Sequence, residues 1–369
     1  MHTILDTGVK TIKNVNKVLF GSNSIKQLRE IISKIGNEEL KKSDNLSIVV
    51  FIDIYFKNSS LLNYFDDYHI VFINSKVEPK TTVIDNMMTV LRKDLGRKPD
   101  IIIGFGGGST LDTAKACSNL FNNEGDAADY QGWDKLRNKG VFKIGIPTIS
   151  GTGSEATRTC VMTNTESGLK LGMNSDFTVF DFIILDPTLT ETVNRNQYFY
   201  TGMDSYIHCM ESLEGNYRNA IGDAYSREVL RLCNEIFNDE DMMTFENREK
   251  LMIASYLGGC SIAASYVGVV HPFSAGLSVV LGTHHCEANC IVMNAMEEFY
   301  PSYYNNFHKM AAKQGVSIKK GIAANLTQTQ YNALYEATII HEKPLFNALG
   351  ENYKHILNKQ KVTEIFKRM

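Results

Sequence analysis

"PDIIIGFGGGSTLDTAKACSNLF", Pro99 to Phe121, is the stretch on which the fold turns. Three consecutive isoleucines make a short, β-branched apolar run of the kind that forms a strand buried on both faces. Gly104, Gly106, Gly107 and Gly108 follow, and Ser109 and Thr110 then open a segment with helical spacing. Strand, glycine turn and helix in this order belong to a parallel, doubly wound sheet. Glycines here let a ligand approach the backbone, and the helix start behind them offers N–H groups and a positive dipole end that suit a phosphate. A plain tight turn fits the same residues: no Gly-Lys-Ser/Thr follows, and the pattern is not a strict G-x-G-x-x-G.

Outward from this stretch the texture repeats. "LSIVVFID" (Leu46–Asp53) and "YHIVFINS" (Tyr68–Ser75) read as buried strands, and "TTVIDNMMTVLRKDLG" (Thr81–Gly96) reads as a helix between strands. "VFKIGIPTISGTGSEATRT" (Val141–Thr159) is a second strand with a second glycine turn. Ligands gather outside the carboxyl ends of such strands, so two turns there say more than one. Asp53 ends the first strand, where a carboxylate accepts from ribose hydroxyls and repels a 2′-phosphate; a loop or cap aspartate reads the same way. After "FIILDPTLT" (Phe182–Thr190) the patterns become helical, as in "AYSREVLRLCNEIF" and "REKLMIASYLGGCSIAASYV". The expected organisation is an α/β domain over 1–188, offering the two turns to a dinucleotide, and an all-helical domain over 189–369.

Bulk properties agree with two domains, since 369 residues exceed what one core usually supports. A formal net charge of −3 without a basic run argues against nucleic-acid and membrane-surface partners. No apolar run nears the roughly 20 residues of a membrane span, and "MHTILDTGVKTIKNV" lacks a signal peptide's apolar core. Seven cysteines without paired spacing suggest reduced thiols and a cytoplasmic location.

The helical half holds a second signal. "TGMDSYIHCMESLEG" (Thr201–Gly215) places Asp204 and His208 on one helix face, four residues apart. "VVHPFSAGLSVVLGTHHCEANC" places His271 fourteen residues before His285. One carboxylate and three imidazoles would suit Fe²⁺ or Zn²⁺ with a position left for substrate. Taken singly, each histidine also reads as a satisfied core residue, and the Asp/His pair as a helix-surface contact. The residues alone leave both readings open.

The combination "GGGSTLDTAKA", "PTISGTGSEAT", "LDPTLT", "TGMDSYIHCMES" and the paired later histidines resembles the iron-containing (group III) alcohol dehydrogenases, in order and spacing from about Phe20 to Tyr300. That resemblance implies a Rossmann-like domain followed by a helical one, as in dehydroquinate synthase. It implies a divalent metal, Fe²⁺ or Zn²⁺, on Asp204, His208, His271 and His285, and a nicotinamide cofactor, for which the Asp53 carboxylate favours NAD over NADP. It implies a pyrophosphate cradle at Gly106, Gly107, Gly108 and Ser109, nicotinamide-side contacts at Thr148 and Thr152, and a homodimer. The chain departs from the family pattern at Cys286, where glycine is usual, at the extra His284, and at Ala275, where a second histidine is common.

"DYQGWDKL" (Asp129–Leu136), "RNQYFYTGMDSYIHCMESLEG" and "GLSVVLGTHHCEANCIV" also resemble a narrower group, the 3-deoxy-D-manno-octulosonate 8-oxidases. This implies oxidation of a terminal C8 alcohol to the aldehyde for an 8-amino sugar of bacterial lipopolysaccharide. A sugar acid needs polar partners, and Arg158, Gln131 and Tyr198 are the candidates. An ion pair for Arg158 and core packing for Tyr198 are the plainer readings. The alternative function is a generic NAD(P)-dependent iron or zinc alcohol dehydrogenase or aldehyde reductase. A lyase of the dehydroquinate synthase kind would need a basic phosphate site that the helical half does not offer, and four intact ligand positions argue against a non-catalytic binding protein.

Overall fold

In this computed structural model residues 11–42 and 45–369 are described. Most of "MHTILDTGVKTIKNV" and the first ten residues of the expected 1–188 domain therefore lie outside the description. The chain divides into two units, one of residues 13–149 and 154–192, the other containing 150–153 and 193–369. The change thus falls at 192/193 rather than 188/189, and the second glycine turn packs with the helical unit.

The α/β unit is built on nine strands: β1 (Lys17–Phe20), β2 (Ile48–Asp53), β3 (His69–Ile73), β4 (Ile101–Gly106), β5 (Gly132–Trp133), β6 (Phe142–Pro147), β7 (Thr159–Thr163), β8 (Lys170–Asn174) and β9 (Phe182–Leu185). Six form one parallel sheet in the order β1-β9-β6-β4-β2-β3. Every residue of β2 and β4 is buried, as their unbroken apolar runs require. Helices α1 (Leu28–Glu38), α2 (Thr81–Leu95) and α3 (Gly108–Leu120) connect and cover the strands. Their apolar stripes complete two cores, one with Ile31, Ile35, Val50 and Ile103 and the other with Ile84, Met88, Val49 and Ile102. The chain runs from β2 outward to β3 and then returns to β4 on the other side of β2, so the switch point lies between β2 and β4. A small second sheet, β5-β8-β7, joins this unit.

The helical unit runs through α4 (Arg195–Leu213), α5 (Ala220–Asn238), α6 (Phe245–Ala264), α7 (Val270–Leu281), α8 (His285–Met293), α9 (Pro301–Lys313) and α10 (Gln328–Ile339), then shorter helices to the C-terminus. Among the described residues no strand follows Leu185. α4 begins where Asn194 accepts from the Gln197 N–H, and it is buried over nearly its whole length. It is the central rod of the unit, packed against α5, α6 and α8. Among the described residues no helix is long and apolar enough to cross a membrane, and all seven cysteines are buried and unbridged.

Candidate functional site

α4 carries Asp204 and His208 one turn apart; α7 and α8 bring His271 and His285 to the same carboxylate. The Nε2 atoms of His208 and His271 lie 3.6 and 3.4 Å from Asp204 Oδ1, and His285 Nε2 lies 3.7 Å from Oδ2. These gaps are too long for good hydrogen bonds. They match donors that share a cation, because ligands about 2.1 Å from a tetrahedral ion sit about 3.4 Å apart. The His208 and His271 rings stack with centroids 4.6 Å apart and planes at 14°. Asp204, His208 and His271 form the tight cluster, each offering one donor atom within 4.8 Å of the others. His285 stands at its rim. Side-chain exposure rises from 0% at Asp204 and 5% at His208 to 12% at His271 and 29% at His285, so the cluster opens toward His285.

The electrostatics suit a metal. Burial would raise Asp204, but His208 and the other imidazoles hold its carboxyl well below the usual range. Burial pushes His208 down to about 4 against the pull of Asp204, leaving a neutral imidazole. Burial opposes protonation of His271 as well, yet Glu211 on Nδ1 and Asp204 together hold it up at about 9.

Two neighbours were not singled out from the sequence. Asn289 donates from Nδ2 to Asp204 Oδ1 at 2.6 Å and lies 3.4 Å from the Nε2 atoms of both His271 and His285. Glu211 lies 2.5 Å from His271 Nδ1. The available signal was spacing: Glu211 is three residues past His208, and Asn289 is four past His285. Cys286, in place of the usual glycine, sets its Sγ 3.6 Å from Asp204 Oδ2. Ala275 is buried on α7, one turn beyond His271.

In the α/β unit the residues expected to meet the cofactor share one edge. The register pairs Ile52 with Phe105 and Gly106 with Pro147, so Asp53, Gly106 and Thr148 leave the sheet side by side at the switch point. A Cβ on Gly106 would stand 2.8 Å from the Thr110 side chain, so glycine is needed there. Gly107 precedes α3 without a side-chain cap, and Gly108 and Ser109 form the helix's first turn. The buried Thr110 hydroxyl has no hydrogen-bond partner among the described residues. These open donors and the missing Cβ fit a dinucleotide's phosphates. Asp53 Oδ1 accepts from Tyr55 N, which fixes the carboxylate at the strand end. Thr148 N donates to Gly106 O, whereas Thr152 belongs to the helical unit.

The three residues expected to read a sugar acid have other partners. Gln131 donates to Met162 O and Leu171 O and accepts from Asn164. Arg158 pairs with Asp176 at 3.0 Å and with Asp134. Tyr198 donates its hydroxyl to Asn247 O. Holding the small sheet and the helical core accounts for all three, and the plainer readings of Arg158 and Tyr198 fit these contacts.

Comparison with known proteins then places the chain. The "Iron-containing alcohol dehydrogenase" profile matches residues 15–187, and the "Fe-containing alcohol dehydrogenase family, C-terminal" profile matches 198–339. The chain belongs to the iron-containing alcohol dehydrogenase family. The sulfoacetaldehyde reductase of Bilophila wadsworthia is 37% identical over 182 residues, which cover 49% of this chain and 47% of that protein. A crystal structure of 1,3-propanediol oxidoreductase superposes with a TM-score of 0.83 at 22% identity, over 98% of this chain and 99% of that one. The sulfoacetaldehyde reductase of Bifidobacterium kashiwanohense in complex with NAD⁺ gives 0.78 at 22% identity, over 97% and 98%. The family fold therefore extends over the whole length, with the parallel sheet and helical unit expected from the sequence.

Proposed function

We propose that the chain is a metal- and NAD-dependent oxidoreductase that interconverts a primary alcohol and its aldehyde. The observation that carries this reading is the convergence of three imidazole Nε2 atoms on the buried Asp204 carboxylate. Asp204, His208, His271 and His285 would hold Fe²⁺ or Zn²⁺, and such an ion supplies the Lewis acidity that makes an alcohol hydroxyl give up its proton near neutral pH. Asn289 fixes the Asp204 carboxylate from the side of the imidazoles, and the opening at His285 is where substrate oxygen would enter. Gly106 to Ser109 would seat the pyrophosphate of a nicotinamide dinucleotide, the hydride acceptor, with Thr148 and Thr152 as its further contacts. Asp53 would accept from the adenosine ribose hydroxyls and disfavour NADP. Ala275 supplies no imidazole one turn after His271, so proton release would run through the exposed side at His285.

The octulosonate substrate is the narrower possibility. It rests on sequence motifs, and its three expected polar contacts are committed elsewhere, so the broader dehydrogenase or reductase reading is preferred. The test is metal analysis followed by a panel of primary alcohols with NAD and aldehydes with NADH. The panel includes sulfoacetaldehyde and the octulosonate, and hydrogen peroxide is measured in parallel. NAD(H) turnover at one metal per chain is expected. A fully metal-loaded protein inert toward the whole panel would overturn the reading, and peroxide without NADH would redirect it to an oxidase.

A further inference from the structure

We propose that Glu211 is a positioning residue that commits His271 to offer Nε2 to the metal, and that its charge completes a neutral pocket for a divalent ion. The inference rests on the metal centre proposed above and deepens it. Glu211 follows Asp204 by seven residues and His208 by three, so all three leave one face of α4. Its buried carboxylate touches His271 Nδ1 with Oε2 and accepts from the N–H of Val270 with Oε1, each at 2.5 Å. Val270 and His271 are the first two residues of α7, so the anion also sits at that helix's positive end. The Tyr300 hydroxyl, which accepts from Val269 N, stands beside the same carboxylate. Gly268 leaves room for this grip, because a Cβ there would stand 2.4 Å from the Tyr300 oxygen.

Two consequences follow. A carboxylate on Nδ1 requires a proton on Nδ1, which leaves the Nε2 lone pair facing Asp204. No such orienter serves His208, whose Nδ1 has no hydrogen-bond partner among the described residues. The second consequence concerns charge. Asp204 and Glu211 are both shut away from water, and among the described residues neither pairs with a lysine or arginine. Two buried negative charges call for two positive ones. A divalent cation supplies them.

The experiment is Glu211→Gln, which keeps the shape but removes the charge and places an amide opposite Nδ1. Zinc affinity is read by chelator competition on the purified full chain, beside the melting temperature of the metal-free form. A 10- to 100-fold loss of affinity is expected, the range found when such outer partners of metal histidines are removed. Unchanged affinity would overturn the proposal even if the melting temperature fell, since that would mark a merely structural group. Should the variant not fold, the tautomer of His271 in the wild-type chain decides. Its ring nitrogens are observed by ¹⁵N correlation and assigned against His271→Gln. Read above pH 9, where the ring keeps a single proton, that proton on Nδ1 supports the role and on Nε2 refutes it. If wild type binds no zinc, iron or cobalt, the metal-dependent function falls, while the tautomer measurement on the metal-free chain still judges Glu211.

Discussion

Replacing Gly151 with alanine should disable the metal centre without touching any of its ligands. Gly151 has φ +143°, and a Cβ there would stand 1.7 Å from the carbonyl oxygen of Thr201 on α4. A carbon and an oxygen need at least about 3 Å, so loop or helix must give by about 1.3 Å. The loop is poorly placed to yield. Ser205 Oγ donates to Gly151 O at 2.7 Å, Gly153 N donates to Ser255 Oγ at 3.2 Å, and Gly153 sits so close to Gly259 that its own Cβ would stand 2.7 Å from that backbone. Thr201 is three residues before Asp204, so a shift of α4 moves Asp204 and His208 while His271 and His285 stay with α7 and α8. Metal sites tolerate only about 0.2 Å in ligand distance. A displacement near 1 Å should therefore cost at least about 100-fold in zinc affinity and a similar factor in rate. The assay is chelator competition on Gly151→Ala, with circular dichroism and NAD binding as checks that the rest of the chain is folded. Wild-type zinc affinity in a folded variant would refute the reasoning, because it would mean that the loop moves and α4 does not.

Further outcomes are expected. Asp204→Ala and His271→Ala should each lose most of the bound metal by elemental analysis; full occupancy with normal turnover in both would remove the ligand assignment. Asp53→Ala should narrow the preference for NAD over NADP by on the order of tenfold in calorimetry, the loss of one partly screened charge repulsion, and an unchanged ratio would take Asp53 out of ribose recognition. Lys143, fully buried on β6 with its nearest carboxylate, Asp181, 4.0 Å away, is pushed down by burial to about 8. Its folded pKa lies below its unfolded one, so stability should rise as pH climbs from about 8 to about 10.5, and Lys143→Met should gain up to about 3 kcal/mol near pH 7 and flatten that rise in urea titrations; a variant with the wild-type pH profile would contradict it. Arg158→Ala should change the KM for any acidic substrate less than twofold, because its partners are Asp134 and Asp176 and such half-exposed pairs are worth about 1 kcal/mol or less. A hundredfold rise in KM for the octulosonate would restore the sugar-acid reading.

What the sequence discloses here depends on where each residue's partner lies. β2 and β4 were legible because a strand buried on both faces writes its environment into consecutive residues. β1 was not, since "KVLF" is four residues at the sheet's edge with Val18 and Phe20 exposed. The small sheet escaped for a related reason: "KLGMN" owes its strand form to pairing with β7, not to its own pattern. In the candidate site, Asp204 and His208 announce themselves by helical spacing; Glu211 and Asn289 share that spacing, but their partners lie on α7 and α4, which it does not name. Arg158 and Gln131 show the opposite case. Each was a candidate partner for a sugar acid, with an ion pair as the plainer reading of Arg158, and partners well away along the chain hold both.

Two glycines make the same point at a single atom. Gly106 ends one parallel strand and Gly151 follows another, both lie in glycine-hydroxyl turns, and both turns read as parts of one ligand-binding edge. At Gly106 the excluded Cβ would meet Thr110, four residues on, inside the same turn and helix start. At Gly151 it would meet Thr201, fifty residues away on the helix that carries Asp204. A local pattern can encode the first requirement because both partners belong to the motif. The second glycine is required by the packing of the loop against the helix that carries Asp204 and His208, a partner that no local motif can encode.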